Sequence, residues 1–323
     1  MAMPDVIALG EALIDFVSSI SGVTLIDAPS FMKAAGGAPA NVAVGLAKLG
    51  VSSGFMGKVG DDAFGHFLSK TMEEAGVDVQ AMRYSTEART TLAFVSLQED
   101  GERDFMFYRH PSADMLYQAD EVDETYIRSA SIIHFGSISL IDEPSRSATH
   151  FSLEIAAEAG LLISYDPNLR MNLWPDEATA KSRILSAWPL AHVIKISDEE
   201  LGFLTAQQDP LKGGEALWHE GLKALIITHG SAGCTFLTPT FTGTLPGFVV
   251  KSMDTTGAGD GFVAGLLKGM LGDSGVFNNK EAMRRICEYA NAVGALTTTQ
   301  RGAIPALPSA KTVQEFLRER DEI

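Results

Sequence analysis

Asp254-Thr255-Thr256-Gly257-Ala258-Gly259-Asp260-Gly261-Phe262 is a run of small residues that opens into an apolar helical pattern with a carboxylate in its first turn. The first N–H groups of a helix have no intrahelical acceptor and sit at the positive end of its dipole. The backbone from Gly257 to Asp260 can therefore hold a phosphate without any Lys or Arg. Asp260 stands beside that anion, placed to take a proton, and side chains at 257 and 259 would fill the space a phosphate needs. Taken alone, an acid in this position is equally an ordinary partner for the helix dipole. Its surroundings have to decide.

Several other chemistries are excluded by spacing. Gly57-Lys58 is followed by Val59, so there is no GxxxxGK[ST] loop, and Phe262 stands where a dinucleotide fingerprint carries its third glycine. No GxSxG elbow occurs. His219-Glu220 lacks the second histidine of HExxH, and Cys234 and Cys287 have neither CxxC spacing nor nearby His pairs, which argues against zinc and disulfide frameworks and for buried free thiols. A formal net charge of −16 disfavours nucleic acid and anionic membrane surfaces as partners. The N-terminal stretch meets Glu11 too soon for a signal core, and no run reaches the length of a membrane span, so the chain reads as soluble and cytoplasmic.

The elements that must position Asp260 follow a βα rhythm. Val6 to Leu9 reads as a buried strand whose end delivers Glu11 and Asp15, at the edge where open α/β sheets bind ligands. Gly36-Gly37-Ala38-Pro39 starts a helix with Val42, Leu46 and Leu49 on one face and Gly50 as its stop. Phe55 to Val59 is the next strand, and Asp61-Asp62-Ala63-Phe64-Gly65 opens a helix ending near Gly76. Strands at 132–135, 161–165, 193–196 and 224–228 alternate with helical patterns, then shorter strands fill 234–249, and a long helix spans about 280–298. Two stretches break the rhythm: 16–33, and the strands 91–97 and 105–109 joined by an Asp100-Gly101 turn. Both fit a small accessory sheet inserted twice into an α/β domain that takes up all 323 residues. Gly257, Gly261, Gly265 and Gly269 recur every four residues, leaving a helix face without side chains that another element can approach closely.

These residues carry a resemblance. Gly36 to Asn41 with Gly57 to Gly65, and Asp254 to Phe262, resemble the two signatures of the PfkB (ribokinase-like) sugar kinases, long and in order along the chain. Phe107 to Asp114, Ser164 to Arg170 and Gly302 to Pro308 are similar to fructokinases within that family. The resemblance implies a three-layer fold, a largely parallel sheet covered by helices, with a discontinuous β lid from about 16–35 and 90–112. It also implies MgATP as cofactor, a sugar as substrate, and a homodimer formed through the lid.

By the same resemblance Asp260 is the general base, taking the proton of a sugar hydroxyl as it attacks the γ-phosphate, with Gly257, Ala258 and Gly259 receiving the phosphate. Asp15, Gly36, Gly37, Asn41 and Arg109 match sugar-binding positions. Asn168, Arg170, Ser197, Thr228, Gly230, Ser231, Gly233 and Asn291 match nucleotide-binding ones. Glu200 would hold Mg²⁺ through water, although Ser197 stands where the family usually has Asn; Asp254, Thr256 and Gly302 match a K⁺ site. Gly261 departs from the family, which usually carries a side chain there, and implies a slightly looser first turn. The implied reaction is phosphorylation of fructose at its 6-hydroxyl. Arg109 and Arg170 would also suit the acidic substrate of a 2-keto-3-deoxygluconate kinase, but Gly36 to Asn41 favours fructose. A sugar- or nucleotide-binding regulatory protein without turnover is the reading from another class, and it has no need of an intact Asp260.

Overall fold

The computed structural model describes residues 3–97, 103–272 and 275–321; the turn expected at Asp100-Gly101 lies outside them. The chain begins β1 (Val6–Leu9), β2 (Leu13–Ser18), β3 (Phe31–Gly36), α1 (Ala38–Lys48), β4 (Ser53–Gly60), α2 (Ala63–Glu74), β5 (Met82–Ser85), β6 (Leu92–Leu97) and β7 (Arg103–Tyr108). It continues α3 (Glu124–Arg128), β8 (Ile132–Phe135), α4 (Ser145–Glu158), β9 (Leu162–Tyr165), α5 (Glu177–Ser186), β10 (Val193–Ser197), α6 (Asp198–Thr205), α7 (Pro210–Leu217) and β11 (Ala224–Thr228). The last third is β12 (Gly233–Leu237), β13 (Thr242–Pro246), α8 (Ala258–Met270), α9 (Lys280–Thr297), α10 (Ala303–Ala306) and α11 (Ala310–Asp321).

Among the described residues the strands form two sheets. The larger has the order β13-β12-β11-β10-β9-β8-β1-β4-β5, parallel from β5 to β11 and antiparallel at β12 and β13. Its strands are apolar on both faces because helices cover both. Val6 and Ile132 face α1, α8, α9 and α11 through Val42, Leu46, Val263, Ala292 and Val313. Ile7, Ile133 and Ile194 face the other way, toward α4, α5 and α6. The strand ends that carry Leu9, Tyr165, Ser197 and Thr228 therefore come out along one edge of the sheet, Leu9 level with Tyr165 through Phe135, and Ser197 level with Thr228 three residues beyond Ile194, the partner of Tyr165.

The second sheet, β3-β2-β6-β7, takes two strands from each stretch that breaks the βα rhythm. It starts at Leu13 and runs to Gly36, somewhat beyond 16–35, because β2 pairs with β3 over its whole length from Leu13↔Gly36 to Ser18↔Phe31. One face is anchored on α2, where Phe16 packs edge-on against Phe64 and the Lys33 ammonium sits 3.6 Å over the Phe67 ring. The other face looks toward the end of the large sheet.

The glycine stripe on α8 is a packing device along most of its length. A Cβ at Gly265 would lie 2.9 Å from the Ala290 Cα, and one at Gly269 would lie 2.7 Å from Ile286, both on α9. Gly261 belongs to the same contact, since a Cβ there would come within 2.6 Å of the Thr297 hydroxyl. In this chain it makes room for α9. Among the described residues no helix is long and apolar enough to cross a membrane, and both cysteines are buried and free.

Candidate active site

Three chain segments converge where the small sheet faces the large one. Gly10 and Glu11 end β1, and Gly37 then turns the chain with φ of +103° while its Cα lies so close to the preceding backbone that a Cβ would sit 2.4 Å from the Glu11 carbonyl. Only glycine fits that corner. It starts α1, with Pro39 in the first turn, and aims Asn41 inward. From the far end of the chain, Gly257 caps α8 in the left-handed region at φ +77°, with Ala303 too near to admit a side chain.

Between these segments is a cavity of ≈ 150 Å³ lined by Asp15, Gly37, Asn41, Gly257, Gly259 and Asp260, with Asn168 and Arg170 from the loop after β9 and Phe105 and Phe107 from the small sheet. Asn41 Nδ2 donates to Asp260 Oδ2 at 2.7 Å, tying α1 to the first turn of α8. Asp260 is only 8 % exposed, and burial, against the Asn41 hydrogen bond and with Asp166 adding to it, pushes its carboxyl up to about 6. A cleft of ≈ 450 Å³ adjoins this cavity, running between the small sheet and the 252–256 and 301–305 loops and sharing Asp15, Phe105, Thr255 and Thr256 with it.

Of the residues matched to the nucleotide and to K⁺, Asn168, Arg170, Gly257 and Gly259 line the cavity, and Asp254, Thr256 and Gly302 line the adjoining cleft. Ser197 and Thr228 are register neighbours at the ends of β10 and β11, and the turn from Gly230 to Gly233 follows with φ of +55° and +109° at its two glycines. Asn291, on α9, donates to the Pro246 carbonyl at 3.3 Å. None of Ser197, Thr228, Gly230, Ser231, Gly233 and Asn291 lines the 150 Å³ cavity. Ser197 and Glu200 form a reciprocal cap on α6, and Glu200 also accepts the Leu169 N–H at 2.7 Å, so it holds the 168–170 loop in place. Asp254 accepts from the Thr256 N–H and hydroxyl with one oxygen and from the Gly302 N–H with the other, clipping the loop before α8 to the loop before α10.

Arg109 sits apart from the cavity lining. It is buried, with Nε donating to Asp114 Oδ2 at 2.8 Å. Asp114 is held there by the Thr91 and Ser112 hydroxyls as well. Glu11, which the end of the first strand was expected to deliver, lines the cavity too, and so do two charged side chains that spacing did not single out, Asp166 and Lys195. Lys195 Nζ reaches Asp166 Oδ2 at 3.1 Å and would be 3.3 Å from a Cβ at Gly259. Burial favours the neutral amine, but Asp166, Glu200 and Asp260 outweigh it and raise its affinity for the proton. A signal was available in Val193-Ile194-Lys195-Ile196, where a lysine interrupts an otherwise apolar buried strand. A buried cation in such a strand needs an anionic partner.

A glycine-capped helix start, a buried carboxylate beside it, and a cavity bordered by a separate small sheet are together the parts that phosphoryl transfer requires, set on a three-layer α/β fold. The chain belongs to the pfkB family of carbohydrate kinases, whose profile matches residues 3–310. It is 52% identical over 315 residues to probable fructokinase-4 of Arabidopsis thaliana, covering 97% of this chain and 96% of that one. It is also similar to the fructokinase of Xylella fastidiosa solved with bound ATP, at 35% identity and a TM-score of 0.90 over 98% of both chains. The fructokinase of Vibrio cholerae O395, solved with fructose, ADP and calcium ion, superposes with a TM-score of 0.88 at 36% identity over 98% of this chain and 100% of that one. A double mutant of the Vibrio protein, with fructose, ADP and potassium ion, gives 0.87 at 35% identity over 98% and 99%.

Proposed function

We propose that this protein is an ATP-dependent fructokinase that transfers the γ-phosphate of MgATP to the 6-hydroxyl of D-fructose. The observation that carries the reading is the placement of Asp260: buried, 2.7 Å from Asn41, in one cavity with Asp15 and the glycines that open α8. Similarity to fructokinases along nearly the whole chain supports the choice of sugar.

In this reading Asp15, Asn41 and the Gly36-Gly37 corner hold the sugar hydroxyls on rigid elements, and Asp260 accepts the proton of the attacking hydroxyl. An alcohol in a loose phosphoryl-transfer transition state becomes acidic late, so alignment and charge neutralisation supply most of the acceleration. Gly257, Ala258 and Gly259 present their amides to the transferring phosphate, while Lys195 and Arg170 bring positive charge to the same cavity. Ser197, Thr228, the 230–233 turn and Asn291 form the nucleotide's side of the rim. Phe105 and Phe107 close over the sugar and keep water out, which limits wasteful ATP hydrolysis.

Among the described residues no group of three His, Cys, Asp or Glu is arranged to hold a metal ion. Glu200 and Asp166 would offer oxygens, through water, to a cation that arrives on the nucleotide. Bound with ATP, Mg²⁺ neutralises the charge that builds on the phosphate oxygens. The clip of Asp254, Thr256 and Gly302 suits a K⁺ site in the adjoining loops. We also place the protein in the cytoplasm, as a dimer formed through the small sheet.

Arg109 is engaged with Asp114, which leaves Arg170 as the arginine on the cavity and weakens the case for an acidic sugar. The test is a substrate panel with MgATP, comparing kcat/KM for fructose, 2-keto-3-deoxygluconate, ribose and adenosine, with and without K⁺. Fructose should lead by at least about tenfold. A preference for 2-keto-3-deoxygluconate would overturn the sugar, and no turnover with any of the four would overturn the kinase reading itself.

A further inference from the structure

Behind the 150 Å³ cavity lies a much smaller space of ≈ 10 Å³, bounded by Glu11, Lys58, Asp114, Tyr117, Ser139 and Thr149 among others. Glu11 lines both spaces. Among the described residues nine side chains keep a buried polar atom with no protein partner, and three of those nine line this one crevice: Glu11 through Oε2, Tyr117 through Oη and Ser139 through Oγ. Orphaned polar atoms are costly, and three of them gathered at one small space point to a shared ligand. The volume is that of a single water, which offers two donors and two acceptors to such a set. A cation fits poorly, because the Lys58 ammonium already lies against the crevice, donating to the Leu116 carbonyl and to Glu121.

The other Glu11 oxygen, Oε1, accepts the Ala38 N–H at 3.0 Å, an otherwise unpaired donor in the first turn of α1. One turn further along α1 is Asn41, whose amide meets Asp260. We propose that the crevice binds one buried water molecule and that Glu11, bridging this water and the start of α1, is a positioning residue for the sugar and for Asp260. Burial pushes the Glu11 carboxyl up to about 7, with backbone hydrogen bonds opposing and Asp114 adding to the rise. Its neutral form accepts from Ala38 and donates to the water. Glutamine can do both, whereas leucine can do neither.

The kinetic part of this proposal rests on the fructokinase reading, so a structural measurement accompanies it. In a crystal structure of the wild-type protein at about 1.5 Å resolution, a water should appear within hydrogen-bond distance of Glu11 Oε2, Tyr117 Oη and Ser139 Oγ. A dry crevice, or a Glu11 side chain turned into the larger cavity, would overturn the proposal whether or not the protein phosphorylates fructose. With MgATP, Glu11→Gln should keep kcat and the fructose KM within about threefold of wild type, while Glu11→Leu raises the fructose KM by about tenfold or more and the ATP KM far less. The double variant Tyr117→Phe/Ser139→Ala, which leaves Glu11 in place, should raise the fructose KM several-fold and covers the case in which Glu11→Leu does not fold. Wild-type fructose KM in that double variant, or equal effects on both substrates in Glu11→Leu, would show Glu11 to be merely structural. A wild-type protein inactive on fructose but with the water in place would sink the functional reading and leave the site standing.

Discussion

Asp260 carries two opposed demands, and both can be measured. As the proposed base it must be ionised to work, so with its carboxyl raised to about 6 by burial, kcat/KM for fructose should fall as pH drops through about 6. Ionisation in that buried place also costs stability. The cost is absent below the unfolded value of 3.8 and complete above about 6, where it amounts to roughly 3 kcal/mol. Asp260→Asn keeps an oxygen for the Asn41 amide and removes the charge. Turnover should drop by about 10² to 10⁴, while the melting temperature at pH 8 rises above wild type and the difference closes toward pH 4. An Asn variant that turns over normally, or melts lower at pH 8, would contradict this account. Arg109 presents the contrasting case. Replacing it with Ala leaves Asp114 buried without its ionic partner, so a loss of about 3–5 kcal/mol is expected in denaturant titration. A selective change in fructose KM with unaltered stability would instead return Arg109 to the sugar site.

The helix pair α8 and α9 sets how firmly the start of α8, the proposed phosphate site, is held. Gly265→Ala drives a Cβ into the Ala290 backbone, which cannot swing aside, and should cost about 1–3 kcal/mol. Gly261→Ala meets the Thr297 hydroxyl at 2.6 Å and is otherwise in ordinary contact, with Leu307 at 3.4 Å, so pairing it with Thr297→Ala should recover much of its cost; additive losses in that double mutant would refute the contact. Elements of this kind were readable in advance because the pattern and its punctuation agree. α1 lies between the Gly37 corner and Gly50, and α8 opens at Gly257, as their small residues and apolar spacing imply. β5 and α10 were not readable: each has four residues, too few to show a period, and neither Met82-Arg83-Tyr84-Ser85 nor Ala303-Ile304-Pro305-Ala306 is a β-branched apolar run of the kind that marked β1. The Lys195–Asp166 pair was hidden for a different reason. Its members are 29 residues apart and meet only because β9 and β10 lie side by side in parallel, with Tyr165 opposite Ile194. The positions of Asp15 and Asn41 relative to Asp260 came from resemblance, since spacing cannot say which strand ends share a cavity. Arg109 resembled a sugar ligand in sequence, but the ion pair with Asp114 accounts for its burial.

At the scale of the whole molecule, the small sheet is both a cover for the site and the proposed seam between subunits. Met106 and Tyr108 lie on its edge strand β7, 43% and 58% exposed, and an uncovered apolar edge invites pairing. Sedimentation of the wild-type protein should give a dimer at micromolar concentration, and Met106→Lys with Tyr108→Lys should shift it to monomer. A wild-type monomer would dismiss the dimer. The hydrogen bond between Asn41 and Asp260 has a consequence for how such a protein comes into being. It joins residues 219 positions apart in the chain. During synthesis Asn41 leaves the ribosome long before Asp260 exists. In a nascent or truncated chain the proposed reaction centre is therefore unassembled, and it closes only when the last third of the polypeptide has been made and folded back onto the first.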